Sequence, residues 1–111
     1  MQTHIQKFTQ LSTQELYKIY KSKILSYCRL YQQNDTYHIG RVISSTRRKG
    51  YGTQIMKTAL EFAGQTLHAD SIIIEAQTYA KNFYKKLGFI QTSEPFDEDG
   101  IPHIQMKYIV R

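Results

Sequence analysis

A single cysteine, Cys28, has no partner within the chain for a disulfide and suits a reducing compartment. It stands in "LSYCRLY", an apolar-rich run that reads as packing for a small hydrophobe rather than a site for a nucleophile. Long apolar runs are also missing: none approaches the roughly 18 residues that a membrane span requires, so no membrane partner is expected. The opening "MQTHIQKF" has no apolar signal region, which makes the cytoplasm the expected location. No repeat or low-complexity linker interrupts the chain, and residues 1–111 read as one domain. Acidic side chains are the minority, 9 against 15 lysines and arginines, for a net charge of +6. Such an excess favours an anionic partner and leaves nucleic acid, a polyphosphate and mere solubility open. The cations are divided among loop, helices and termini without a nucleic-acid motif, so no nucleic acid is expected, and no metal site either.

What is present is an alternation of strand and helix patterns. "THIQKF" (3–8) reads as a short strand. "LSTQELYKIYKSK" has Ser12 three residues before Glu15, a capping-box spacing, and then Leu16, Ile19 and Tyr20 on one stripe ending at Lys23; a helix is expected there. "ILSYCRLYQ" and "YHIGRVIS" flank the turn "NDT" and predict an antiparallel hairpin over 24–44. From Thr53 the period becomes helical through Ile55, Met56, Ala59, Leu60, Phe62 and Ala63. "SIIIEA" (71–76) reads as a strand buried on both faces, and "TYAKNFYKKL" as a helix stopped by Gly88. "FIQTS", the acidic loop "EPFDEDGIP" and the strand "HIQMKYIV" complete an α/β (α+β mixed) order with crossovers at 37–76 and 71–91.

The stretch "SSTRRKGYGTQIM" (44–56) places Arg47, Arg48 and Lys49 before Gly50, Tyr51 and Gly52, between a strand and a helix. The first amides of a helix lack internal partners and the helix dipole favours negative charge there, so this is the frame of an anion site. Glycines let backbone approach a phosphate without Cβ obstruction. The spacing is neither that of a P-loop nor G-x-G-x-x-G, because the third glycine would fall on Ile55. A basic surface turn before an amphipathic helix is the plainer reading of the same residues.

"Arg47-Arg48-Lys49-Gly50-Tyr51-Gly52" resembles the [Q/R]-x-x-G-x-[G/A] loop with which GNAT acetyltransferases grip the pyrophosphate of acetyl-CoA. The run from Gln77 through Ala80, Phe83, Tyr84 and Gly88 to Phe89 resembles the superfamily's N-x-x-A-x-x-[LF]-Y-x-K-x-G-F helix, with Gln77 in the asparagine's place. "IGRV", "EAQ", "FYKKLGF" and "EPFDEDGIPHIQM" are similar to the ElaA-like branch. The resemblance implies a mixed, mostly antiparallel twisted sheet flanked by helices. It also implies an internal shortening, because a second helix and second strand normal to the family are missing between Lys23 and Ile24. A sheet region left uncovered would invite a homodimer.

By resemblance the donor is acetyl-CoA and the acceptor an amine. Val42, Ile43 and Ser44 would offer backbone to pantetheine, Arg47 to Thr53 would hold the diphosphate, and Gln77 and Phe83 would border the cofactor. Tyr84 matches the tyrosine that protonates the leaving thiolate, although its apolar helical stripe alone would assign it to packing. Candidates for the general base are His103, whose imidazole can take a proton near neutrality, and Glu75. Each also has a structural reading, a strand-start histidine and a lysine-paired carboxylate. His38 and Arg41 border the pocket strand without an assigned role. Asp97, Glu98 and Asp99 either draw a cationic amine toward the acceptor side or form a solvated hairpin tip. A CoA-binding or interaction protein with little catalysis is the alternative.

Overall fold

Asn34 and Asp35 both take left-handed dihedrals (φ 52° and 63°), reversing the chain in two residues between strands β3 (Lys23–Gln33) and β4 (Thr36–Ser44). Such primed turns match the right-handed twist of paired strands and make the expected hairpin. The computed structural model describes residues 4–10, 13–20, 23–44 and 50–110. The hairpin continues toward the N-terminus through β1 (His4–Gln10) and β2 (Thr13–Tyr20), all antiparallel.

β2 replaces the helix expected over 12–23. Leu16 stands in register with Lys7 on one side and Cys28 on the other. The segment carries both periods, and Thr13, Tyr17, Ile19 and Tyr20 are β-branched or aromatic strand formers. A capping box is worth about 1 kcal/mol. A strand with a ladder on each side satisfies its whole backbone, and that wins. Ser12, the expected cap, lies outside the described residues. Among the described residues no helix precedes Gly50. The shortened front half is therefore a strand meander, without even the first helix that the pattern suggested.

Helix α1 (Tyr51–Gln65) follows, then β5 (Ser71–Gln77), a 3-10 turn (Thr78–Ala80), helix α2 (Lys81–Lys86), β6 (Ile90–Gln91), β7 (Phe96–Glu98) and β8 (Ile101–Ile109). The sheet runs β1-β2-β3-β4-β5-β8-β6, with β7 also on β8. Only β4 and β5 are parallel, joined across α1. The 71–91 crossover places β5 and β6 on opposite sides of β8. Gly88 (φ 109°) ends the α2 region in the left-handed region, where an added Cβ would lie 2.9 Å from the Tyr108 ring. The acidic loop is more ordered than expected, forming β7 and a turn at Asp99–Gly100 (φ 53° and 79°).

Both helices cover the same sheet face. Ile55, Met56, Ala59 and Ala63 of α1 bury against Cys28, Leu30, Ile39, Ile72, Ile74, Ile104 and Met106, with Phe83, Tyr84 and Leu87 packed at the margin. The "SIIIEA" strand is consequently buried on one face only: Ile72, Ile74 and Ala76 are inside, Ile73 is half-buried and Glu75 is exposed. No helix among the described residues is long and apolar enough to cross a membrane.

Cys28 is fully buried, as "LSYCRLY" suggests, and burial pushes its thiol from 9.0 up to about 12. Between those values the unfolded chain releases the thiol proton while the native chain keeps it, so stability falls as pH rises above about 9. Cys28 contributes on the order of 1.4 kcal/mol per pH unit to that slope. Urea midpoints between pH 8 and pH 10.5 should therefore drop more steeply for the wild type than for Cys28→Ala. Parallel curves would refute the assignment.

Candidate active site

The site begins with a mismatch between β3 and β4. Tyr27 pairs with Ile43 and Arg29 with Gly40, so one residue, Cys28, stands against two, Arg41 and Val42. This β-bulge bends β4 and shifts its alternation. Ile39 and Val42, three apart, both face the core, while Ile43 is 58% exposed. Beyond the bulge β4 leaves its parallel neighbour. The β4–β5 register consists of Tyr37↔Ile72 and His38↔Ile73, although β4 runs on to Ser44 and β5 to Gln77.

A cleft of about 460 Å³ opens where the strands part. Its lining comes from both faces of the sheet. Ile39, Val42, Ile74, Ala76 and Tyr84 belong to the helix-covered face; Tyr31, Glu75, Gln77, Glu98 and His103 belong to the other. The cleft thus passes through the sheet. Gly40 admits the Tyr31 ring, since an added Cβ would already sit 3.4 Å from it. Tyr79, 75% exposed, stands at the rim.

At the helix-side end, Gly50 (φ 78°, ψ 5°) precedes α1 with no side-chain cap, and no acidic residue occupies the first turn. The first intrahelical bond runs from the Gln54 amide to the Gly50 carbonyl at 3.0 Å. The amides of Tyr51, Gly52 and Thr53 therefore have no partner within the helix. The Phe83 ring seats α2 against this turn, 3.5 Å from where a Cβ on Gly52 would lie. Arg47, Arg48 and Lys49 lie outside the described residues, as does the side chain of Ser44.

Tyr84 meets Phe83 and Phe89 edge to face at 5.0 and 5.8 Å. Burial, with smaller contributions from Cys28 and Tyr79, pushes its phenol from 10.0 up to about 12. The packing and cleft-lining readings of Tyr84 hold together: its ring packs on the core margin and the residue borders the cleft.

At the opposite end, β5, β8 and β7 align Gln77, His103 and Phe96 in one row. His103 is 8% exposed and stacks on Phe96 at 6.1 Å. Its Nδ1 lies 2.8 Å from the Ile101 carbonyl, which can only accept, so Nδ1 carries the hydrogen. Nε2 lies 3.4 Å from Glu98 Oε2. Glu75 raises the Tyr31 phenol after burial has done so, with Glu98 adding and Arg29 opposing. His38, stacked on Tyr31 at 5.3 Å, is lowered by burial against the pull of Glu75.

The cleft thus gathers Val42, Glu75, Gln77, Tyr84 and His103 from the sequence candidates. Of the acidic trio only Glu98 reaches it; Asp97 accepts from the Gly100 amide at 3.2 Å and serves the turn. Tyr31, Gly40 and Tyr79 were not singled out by the sequence. Alternation in "CRLY" separates Tyr31 from buried Cys28 and Leu30, a signal that could have flagged it.

The sequence profile of the acetyltransferase (GNAT) domain matches residues 2–110. Protein ElaA of Escherichia coli is 36% identical over 89 residues, 76% of this chain and 58% of that protein. Its crystal structure superposes with a TM-score of 0.80 at 31% identity, over 86% of this chain and 68% of that one. An acyl-CoA N-acyltransferase from Pseudomonas aeruginosa superposes with a TM-score of 0.78 at 33% identity, over 86% and 68%. A GNAT family acetyltransferase from Elizabethkingia anophelis, solved with acetyl-CoA bound, shares the fold at 21% identity, with a TM-score of 0.72 over 88% and 76%. The chain spans less than two thirds of the length of ElaA.

Proposed function

The chain belongs to the acetyltransferase (GNAT) family, and from that premise we propose that it moves an acetyl group from acetyl-CoA to an amine acceptor. The observation that carries this reading is the cleft through the sheet, with titratable side chains at one end and, at the other, Tyr84 next to the Phe83 that meets the first turn of α1, whose first amides have no partner within the helix. Residues 1–111 act as one such domain.

The amides of Tyr51, Gly52 and Thr53, with the cations at 47–49, would hold the diphosphate. Phe83 supports that turn, and Gln77 lines the cleft from the His103 end. Past the bulge, the backbone of Val42, Ile43 and Ser44 has no β5 partner in register and is available to an extended amide-bearing chain. The same amides are candidate donors to the carbonyl oxygen as negative charge develops on it. The amine nitrogen forms its bond to the acetyl carbon, the carbon–sulfur bond breaks, and the ammonium proton leaves to a base. His103 Nε2 is the base this reading prefers over Glu75, because its lone pair is fixed by the Nδ1–Ile101 bond.

Tyr84 supplies a hydrogen bond to the departing sulfur. A phenol near 12 stays protonated at neutral pH. Full transfer to a thiolate of ordinary basicity, near 8.5, would cost about 5 kcal/mol. Tyr84 therefore stays a protonated donor beside the departing thiolate, whose proton comes from Tyr84 or from solvent.

Calorimetry with acetyl-CoA, then thiol release across an amine panel, tests the proposal. Binding with turnover is expected. Binding without turnover for any amine would favour a CoA-binding protein, and no binding would overturn both readings.

A further inference from the structure

The charges that line the cleft run against those of the chain. The protein carries +6 overall, yet the formally charged side chains among the described lining residues, histidine apart, are Glu75 and Glu98. Arg29 flanks Tyr31, its guanidinium carbon 6.0 Å from the ring centroid, but does not line the cleft. Among the described lining residues there is no lysine or arginine to pair with a carboxylate on the acceptor.

His103 and Glu98 add a second, independent feature. His103 is more than nine-tenths buried, and with Nδ1 donating to the Ile101 carbonyl its Nε2 is the ring atom left for a second partner. Nε2 faces the Glu98 oxygen at 3.4 Å. With the ring neutral, Nε2 and the Glu98 oxygen are both acceptors, and one donor group placed between them can serve both. An alkylammonium has several N–H donors and can sit about 2.9 Å from each, completing a triangle on that edge. A neutral amine satisfies the pair less well, and a carboxylate beside the amine would be repelled by Glu98 and Glu75.

We infer that the acceptor is a cationic alkylamine without a neighbouring carboxylate, its ammonium held between Glu98 Oε2 and His103 Nε2. This rests on the acetyl-transfer reading and specifies its substrate class. Glu98 is the specificity-determining residue. The ammonium arrives paired to Glu98, passes one proton to Nε2, and leaves an imidazolium facing the same carboxylate. The uncharged amine is then free to attack. Glu75 adds to the negative potential near Tyr31 without touching the pair.

The test uses the full chain, acetyl-CoA and two acceptors, butylamine and glutamate, with thiol release as the readout. Butylamine should exceed glutamate in kcat/KM by at least about 10-fold, a margin that 1.4 kcal/mol of discrimination provides. Glu98→Gln should raise the KM for butylamine by about 10-fold or more with a smaller change in kcat. Glu98→Asp should recover part of it, and Glu98→Lys should erase or invert the preference. Calorimetry on the same proteins should show unchanged acetyl-CoA affinity. Loss of acetyl-CoA binding in the wild type would defeat the underlying reading. Intact cofactor binding with a preference for glutamate, or a KM indifferent to Glu98→Gln, would defeat this inference alone. If the wild type binds acetyl-CoA without turnover, butylamine is titrated into the CoA-loaded chain. Heat that disappears in Glu98→Gln supports the inference, and no heat overturns it.

Discussion

Gly50→Val should weaken acetyl-CoA binding by at least about 100-fold, whereas Gly52→Ala should leave it within a few-fold, a separation of nearly 3 kcal/mol. The two glycines of the loop do different things. Gly50 has φ 78°, and a Cβ there would meet nothing within 4 Å, so the substitution costs backbone conformation rather than packing. A β-branched residue is strained in the left-handed region by roughly 1–2 kcal/mol. The relief available is to rotate the turn, and the turn is what aims the amides of Tyr51, Gly52 and Thr53. The new methyls also project into open space beside the helix mouth. Gly52 lies inside α1, and a Cβ would rest in ordinary contact with Phe83 at 3.5 Å. Alanine is a better helix former than glycine there, so the fold should be retained or slightly stabilised. Calorimetric titration of acetyl-CoA into both variants, with urea unfolding as the control, checks the contrast. Wild-type affinity in Gly50→Val would remove the loop from the cofactor site.

Tyr84→Phe should lower kcat by about 100-fold with little change in acetyl-CoA affinity or stability, the size expected when one donor to a developing anion is removed. Its ring contacts with Phe83 and Phe89 survive the substitution, so the loss isolates the hydroxyl. Burial holds the phenol near 12, up from 10.0. The sign follows: a raised value keeps the donor protonated to higher pH, so Tyr84 should impose no alkaline fall in kcat at pH 9 to 10. A wild-type profile descending with a midpoint near 10, absent from Tyr84→Phe, would contradict the buried-donor assignment. A variant with full kcat would return Tyr84 to packing alone.

The two helical segments after Gly50 were legible because their signals are local. The stripe from Ile55 to Ala63 has one period only, and Gly88 closes the next helical segment. Residues 13–20 were misread because Leu16, Ile19 and Tyr20 serve a helical stripe while Thr13, Tyr17, Ile19 and Tyr20 serve a strand. Pairing with β1 and β3 settles the choice, and those partners lie outside the window in which periodicity is counted. Site residues divide in the same way. The glycine loop and Tyr84 carry their spacing in the chain, but Tyr31 joins Glu98 and His103 only after β3, β7 and β8 are assembled.

The amino-acid order alone determined a strand–glycine turn–helix frame, a buried cysteine and the helix that carries Tyr84. These depend on dihedral preference, side-chain period and composition, all of which act within a few residues. Tertiary structure alone decided the bulge opposite Cys28, the parting of β4 from β5, and the choice of Glu98 over Asp97 and Asp99 for the cleft. Each is a mismatch or a meeting between strands, and a property of a pair cannot be read from either member.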